Sequence, residues 1–269
     1  MMKNYDGVVL LSDMDGTLLD SQGNISRQNR SAIREFITAG GQFGIATGRS
    51  HLNFEAFLTD VEVNAPCILY NGCALYDRKE KKFIELYTLP VLKLSPYLEY
   101  GLKEFPGLMI QVYCPDMCYI ISDESLSEKG VVENHKPNRF CSMKEIMTLP
   151  WIKLLVSGDP CNLRAFEAKI DDFMLGTEIS WVYSQDRYLE FLPANVSKGS
   201  MLKRLKDSLG SGYRIYAVGD YNNDIEMLEA ADVGIATENA LPSVKAVADA
   251  LTVSNDESAI AHIIHHLIV

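Results

Sequence analysis

Gly7-Val8-Val9-Leu10-Leu11-Ser12-Asp13-Met14-Asp15-Gly16-Thr17 begins with an unbroken apolar run and closes on two carboxylates. Val8 to Leu11 has no polar residue to alternate with, the pattern of a strand buried on both faces of a parallel sheet. Asp13 and Asp15, one residue apart, leave the end of such a strand on alternate sides, so they can take different roles at one centre. One can attack while the other transfers protons. A solvated turn would use the same residue types, since Asp and Gly are common turn formers.

Working outward, Ser26 can cap a helix whose Ile33, Phe36 and Ile37 share one face and which Gly40-Gly41 stops. Phe43 to Ala46 reads as a second buried strand ending at Thr47-Gly48-Arg49, and Cys67 to Tyr70 as a third ending at Asn71-Gly72. Strands alternating with helices predict a parallel α/β sheet. From Ala74 the rhythm changes: Leu75-Tyr76 and Phe83 to Tyr87 flank a polar run and read as a hairpin. Between Leu89-Pro90 and Leu192-Pro193 lie short strands and helices, the best helix spanning Asn162 to Phe173 with Leu163, Phe166, Ile170 and Phe173 on one stripe. The parallel pattern then returns, with a helix from Lys198, a strand at Ile215 to Val218, a helix after Asp220 and a strand near Val233 to Ala236. The expected architecture is α/β: a Rossmann-like doubly wound parallel sheet core, residues 1–85 and 189–269, interrupted by an inserted mixed α+β module, residues 86–188.

Composition removes several function classes. A chain of 269 residues that is 47% hydrophobic and 23% charged can bury a substantial core and is no disulfide-stapled mini-protein. Its formal charge of −11 repels phosphate backbones and anionic headgroups, which argues against nucleic acid and membrane partners. The Val8–Leu11 run is too short for a signal peptide or a span, so a cytoplasmic location is expected. Six cysteines without zinc spacing read as free, mostly buried thiols, a Cys114–Cys118 bridge requiring an exported protein. His51, His135, His262, His265 and His266 lack metal-site spacing and read as structural or solvated. Neither GxSxG nor GxxxxGK(S/T) occurs, so the usual signatures of serine hydrolases and nucleotide kinases are missing.

In doubly wound sheets ligands sit at the carboxyl ends of the strands. There Thr47 and Gly48 offer a hydroxyl and a backbone N–H to an anion and Arg49 adds a charge, although a helix-capping threonine explains Thr47 equally well. Lys198 opposes the positive end of its own helix, an arrangement that becomes favourable if an anion sits beside it. Asp220 and Asp224 stand at a strand end and a helix start, where capping alone could account for them. If Asp13, Asp15 and Asp220 converge, a hard dication such as Mg²⁺ is the natural counterion.

Taken together, Asp13-Met14-Asp15-Gly16-Thr17, Thr47-Gly48-Arg49, Lys198-Gly199 and Gly219-Asp220 with Asn223-Asp224 resemble, in order, the four motifs of the haloacid dehalogenase-like superfamily. The insert between the second and third motifs, Asn71-Gly72 and the closing run Asn239 to Ala250 look like its Cof-type sugar-phosphatase branch. The resemblance implies that Asp13 is the nucleophile and Asp15 the general acid and base. It implies Mg²⁺ held by Asp13, the Asp15 carbonyl and Asp220, with Asp224 orienting the metal surroundings or Lys198. Thr47, Gly48, Asn223, Lys198 and the Met14 N–H would hold the phosphoryl oxygens.

A cap hinged near Leu89-Pro90 and Leu192-Pro193 would close over the site and read the leaving group, with Arg49 and Glu190 as candidate contacts. The substrate implied is a small phosphorylated metabolite, a sugar phosphate or a similar monoester, and the assembly a monomer or homodimer. A phosphosugar mutase of the same superfamily, a Mn²⁺-dependent glycosyltransferase and a non-catalytic phosphate-metabolite-binding protein are the competing readings.

Overall fold

A computed structural model describes residues 4–58, 60–126 and 137–268. In chain order its strands are β1 (Val8–Ser12), β2 (Gln42–Ile45), β3 (Cys67–Leu69), β4 (Ala74–Asp77), β5 (Lys82–Leu86), β6 (Met109–Tyr113) and β7 (Cys118–Ile120). They continue with β8 (Asn138–Phe140), β9 (Lys153–Ser157), β10 (Ile179–Gln185), β11 (Tyr188–Pro193), β12 (Arg214–Gly219), β13 (Val233–Ala236) and β14 (Ala250–Leu251). The chain divides into two compact units, one formed by residues up to Glu85 and from Ser197 onward, the other by Leu86–Val196.

The first unit is built on a five-stranded parallel sheet of order β14-β13-β12-β1-β2. β1 lies inside it, between β12 and β2, with Val9, Leu10 and Leu11 wholly buried, as an unbroken apolar run requires. The chain leaves β1 towards β2 and leaves β12 towards β13, in opposite directions across the sheet. Right-handed crossovers therefore put the intervening helices, Arg27–Thr38 and Ile225–Ala230, on opposite faces. Contacts agree, because Arg27–Thr38 packs on Ala259–His262 whereas Lys198–Leu209 packs on Ile225–Ala230. The carboxyl ends of β1 and β12 thus flank the point where the winding reverses, the place such sheets reserve for a ligand.

The Arg27–Thr38 helix is fixed by local chemistry and by one buried amide. Ser26 is extended (φ −65°, ψ 155°) and its hydroxyl accepts the Asn29 N–H at 3.1 Å. The Asn29 side chain, fully buried, accepts the Ala261 N–H at 3.0 Å and so ties the helix to the C-terminal segment.

Two elements differ from the sequence expectation. Among the described residues β3 joins the main sheet through the isolated parallel bridge Ala46↔Ile68, and it pairs antiparallel with β4 in a small sheet β3-β4-β5. The reason is the turn that follows: Tyr70, Asn71 and Gly72 have φ of 53°, 56° and 105° and reverse the chain at once. The helix expected over Asn162 to Phe173 is α-helical only over Pro160–Glu167 and ends in a 3₁₀ turn at Asp171–Phe173. Lys169 and Ile170 N–H groups bond three residues back, which tightens the chain yet still brings Leu163, Phe166 and Ile170 to one side.

The second unit is a six-stranded mixed sheet, β10-β11-β9-β6-β7-β8, with its own apolar core around Tyr97, Trp151, Phe166 and Phe191. It extends to Val196, past the expected limit at 188, because β11 hydrogen-bonds to β9 and β10. All six cysteines are free, four of them buried, so Cys114 and Cys118 are not bridged. His51 meets the Tyr70 hydroxyl through Nδ1 (2.9 Å) and His262 meets Thr252; His135 lies outside the described residues. Among the described residues no helix is long and apolar enough to cross a membrane.

Replacing Ser26 by Ala is expected to lower unfolding stability by about 1 kcal/mol. Urea denaturation should show a lower midpoint at unchanged slope.

Candidate active site

β1 and β12 pair in parallel with Ser12 opposite Val218, which brings Asp13 and Asp220 out of neighbouring strands at the same end of the sheet. The Asp13 N–H donates to the Val218 carbonyl at 2.9 Å and continues the ladder one residue past β1. Asp13 is buried, the Met14 side chain is in the core, and Asp15 faces outward. Arg49 grips Asp15 in a bidentate pair, Nε to Oδ2 at 2.8 Å and Nη2 to Oδ1 at 2.6 Å. The Arg49 guanidinium in turn lies 3.8 Å from the Phe57 ring centroid, which restricts its motion.

Gly16 makes the approach of the two strand ends possible. Its φ is +83°, and a Cβ there would stand 2.5 Å from Asp220 Oδ2. The chain can then turn back so that the Thr17 hydroxyl donates to Asp220 Oδ1 at 2.7 Å. Thr17 thereby orients Asp220, a role that sequence reasoning did not assign; its only signal was its place directly after Asp15-Gly16.

Lys198 is the first residue of the Lys198–Leu209 helix, whose start is capped by Ser197, the Ser200 N–H donating to the Ser197 hydroxyl at 3.0 Å. Its ammonium group, wholly buried, donates to Asp13 Oδ1 at 2.5 Å and to Asp224 Oδ1 at 2.7 Å. Two carboxylates outweigh the unfavourable end of the helix dipole, which acts with less than a full charge. Asp224, also fully buried, accepts the Asp220 and Tyr221 N–H groups through Oδ2 at 3.0 and 3.1 Å. One carboxylate therefore fixes both the lysine and the loop that carries Asp220.

The electrostatics follow from three carboxylates facing one ammonium group. Burial would lower the pKa of Lys198, but Asp13 and Asp224 hold it above its ordinary value. Burial pushes Asp13 well above the usual carboxylate range; Lys198 pulls it back, and Asp224 and Asp220 push it up again. Asp220 is raised to about 6 by burial, against the Thr17 hydrogen bond that lowers it. Asp13, Asp220 and Asp224 each offer a carboxylate oxygen, all within 4.8 Å of one another. Hard oxygen donors with uncompensated negative charge suit a divalent cation. Asp224 already serves Lys198 and two N–H groups, which leaves Asp13 and Asp220 as the better donors. The Asp15 side chain, held by Arg49, is outside this group and could join it only through its main-chain carbonyl.

The remaining expected residues divide by unit. Thr47, 1% exposed, accepts the Arg49 N–H at 3.2 Å, which leaves the hydroxyl hydrogen to donate. A Cβ on Gly48 would lie 2.9 Å from Asn71 Oδ1, and Asn223 Nδ2 donates to that same oxygen at 3.1 Å. Thr47, Gly48, Asn71 and Asn223 thus form one group in the first unit. Glu190 belongs to the second unit, where it forms a buried ion pair with Lys153 at 3.0 Å.

Residues 10–264 match the family model of the haloacid dehalogenase-like hydrolases. The chain is 30% identical to the pyridoxal phosphate phosphatase YbhA of Escherichia coli, covering 97% of this chain and 98% of that one. It is 29% identical to the 5-amino-6-(5-phospho-D-ribitylamino)uracil phosphatase YwtE of Bacillus subtilis, over 95% of this chain and 96% of that one. It also matches the chloroplastic endoribonuclease YBEY of Arabidopsis thaliana at 29% identity over 95% of its length, but spans only 46% of that longer protein. Among solved structures, a haloacid dehalogenase-like hydrolase from Bacteroides thetaiotaomicron superposes with a TM-score of 0.86 at 26% identity, covering 98% of this chain and 100% of that one.

A cation that binds ionised carboxylates competes with the proton that Asp220 takes up near pH 6. Without the cation, the raised pKa stabilises the fold below about pH 6 and this contribution is lost as pH rises through it. A divalent cation held by this cluster, tested as millimolar Mg²⁺, should therefore raise thermal stability more at pH 7.5 than at pH 5.5. Differential scanning calorimetry at both pH values, with EDTA as reference, measures it.

Proposed function

Because this chain belongs to the haloacid dehalogenase-like hydrolase family and is a phosphoric monoester hydrolase, we propose that it hydrolyses small phosphorylated metabolites, sugar phosphates or similar monoesters, through an aspartyl-phosphate on Asp13. The observation that carries this reading is the buried Lys198 between Asp13 and Asp224, beside Asp220 at the reversal point of the sheet. A carboxylate is a weak nucleophile, but phosphoryl transfer depends more on positioning and charge neutralisation than on basicity. Lys198 keeps one oxygen of Asp13 fixed and favours the ionised form that attack requires.

In the first step an Asp13 carboxylate oxygen forms a bond to phosphorus while the bond to the leaving oxygen breaks. Asp15, in its acid form, gives its proton to that leaving oxygen. In the second step Asp15, now a carboxylate, takes a proton from water as the water oxygen attacks phosphorus. The Asp13–phosphorus bond breaks, inorganic phosphate leaves and both carboxyl groups return to their starting states. The outward position of Asp15 lets it exchange protons with solvent; the bidentate Arg49 pair engages both oxygens of its carboxylate form, so its acid and base steps require that it release Arg49.

Thr47, Gly48, Asn223, Lys198 and the Met14 N–H would hold the phosphoryl oxygens. Mg²⁺, held by Asp13, Asp220 and the Asp15 carbonyl, would supply neutralisation of the phosphoryl charge. The names of the pyridoxal phosphate and ribitylaminouracil phosphatases support a metabolite-sized monoester as substrate.

Asp13→Asn is expected to abolish release of inorganic phosphate from a panel of phosphomonoesters with Mg²⁺ present. Asp15→Asn should slow release by about two to four orders of magnitude. The slowed variant should also accumulate acid-stable, hydroxylamine-sensitive phosphoprotein. Near-normal turnover by Asp13→Asn would refute the covalent route, and transfer to a second hydroxyl of the substrate without phosphate release would make the protein a mutase.

A further inference from the structure

Directly after β3 the chain adopts three successive left-handed residues, Tyr70 (φ 53°), Asn71 (φ 56°) and Gly72 (φ 105°). Side-chain-bearing residues rarely take this conformation, and two in a row persist only where their surroundings enforce it. Here the Tyr70 N–H donates to the Arg49 carbonyl at 3.1 Å and the Asn71 N–H to the Thr47 carbonyl at 3.0 Å. On the other side a Cβ on Gly72 would stand 2.1 Å from the Ser197 carbonyl oxygen. The turn is therefore wedged between the Thr47–Arg49 loop and the start of the helix that carries Lys198.

The Asn71 side chain points into this wedge. It is 4% exposed, lies against the Gly48 Cα, and accepts a hydrogen bond from Asn223 Nδ2 at 3.1 Å. Glycine would suit the backbone better at this φ, so the amide is retained at a conformational cost. We propose that Asn71 is a positioning residue for phosphoryl binding that acts through Asn223, an inference that rests on the reading above in which Gly48 and Asn223 hold the phosphoryl oxygens.

A carboxamide has a donor end and an acceptor end, and only the donor end stabilises an anion. Asn71 Oδ1 can only accept. Turned with Oδ1 towards Asn223, as in the structure, Asn71 selects the orientation of Asn223 in which the nitrogen, not the oxygen, faces it. Asn223 Nδ2 has two hydrogens, and giving one to Asn71 leaves the second to donate. An Asn223 turned the other way would set two acceptor oxygens against each other and present a partial negative charge to the phosphoryl group. Asn71 thus pre-orients a donor without touching the reacting atoms.

The test is a double-mutant cycle on the full chain with Mg²⁺, read as the inhibition constant of inorganic phosphate, as KM and kcat for p-nitrophenyl phosphate, and as the melting-temperature shift produced by phosphate. Asn71→Gly accommodates the backbone and removes only the amide. It should raise the phosphate inhibition constant and KM about tenfold, the loss expected for one charge-assisted donor, with kcat within about threefold and the melting temperature without phosphate not lowered. Asn223→Ala should raise the inhibition constant by at least as much, and adding Asn71→Gly to it should change it by less than about twofold. Asn71→Asp keeps the acceptor and the shape but adds a negative charge, and should raise the inhibition constant at least as far as Asn71→Gly.

If Asn223→Ala raises the constant but neither Asn71 variant does, or if the two sites multiply independently, Asn71 has no such role. If Asn223→Ala leaves the constant unchanged, the phosphate-site reading itself fails and this proposal fails with it.

Discussion

One ammonium group, sealed from water between two carboxylates, is the constraint around which this end of the parallel sheet is arranged. Lys198 opens a helix, Asp13 follows β1 and Asp224 follows β12, so their mutual contact fixes three separated segments at once. Removing a partner from such a buried pair costs about 3–5 kcal/mol, because the remaining charge is left without compensation. A helix start that would disfavour a lysine by itself is stabilised by the tertiary structure around it. Asp224 extends the arrangement further, since its second oxygen holds the backbone of the loop that presents Asp220.

The same cluster carries more negative charge than Lys198 can balance. Asp13 and Asp220 are both shifted upward by burial, a stored demand for positive charge at the point where a cation and a phosphoryl group would meet. The same unit carries a group of neutral donors, the Thr47 hydroxyl, the Gly48 backbone and the Asn223 amide, linked through Arg49 and Asn71. Asp15 is kept out of the cluster by Arg49. Two carboxyl groups one residue apart thereby occupy different environments, one buried against an ammonium group and one exposed to solvent. On the proposed mechanism, that separation would let a single site hold both a nucleophile and a proton carrier.

The inserted unit has an independent apolar core and a buried Lys153–Glu190 pair, so its fold does not rely on the parallel sheet. The sheet is likewise continuous without it: β1 and β12 pair directly across the gap in sequence that the insert creates. Such independence explains how a module of this size can interrupt a doubly wound domain without disturbing the carboxyl ends of its central strands.

Much of this was legible in the residues alone. The unbroken apolar run of β1, the Ser26 cap and the return of the strand–helix rhythm after Pro193 are local signals, because strand burial and helix capping are decided by neighbours in sequence. Asp13, Lys198, Asp220 and Asp224 could be picked out because each stood at the end of a predicted strand or the start of a predicted helix. Local signals could not show that Phe173 leaves the α-helix, since a 3₁₀ turn keeps the same spacing of three on one side. Nor could they show that β3 turns away from the sheet, that Thr17 holds Asp220, or that Asn71 and Asn223 share a hydrogen bond. The sequence by itself determined the strands, their buried faces and the residue types at their ends. Only the tertiary structure decided which of those ends share one centre and how each amide and carboxylate is turned, because partners 203 and 232 residues apart meet through packing and not through any pattern the chain displays locally.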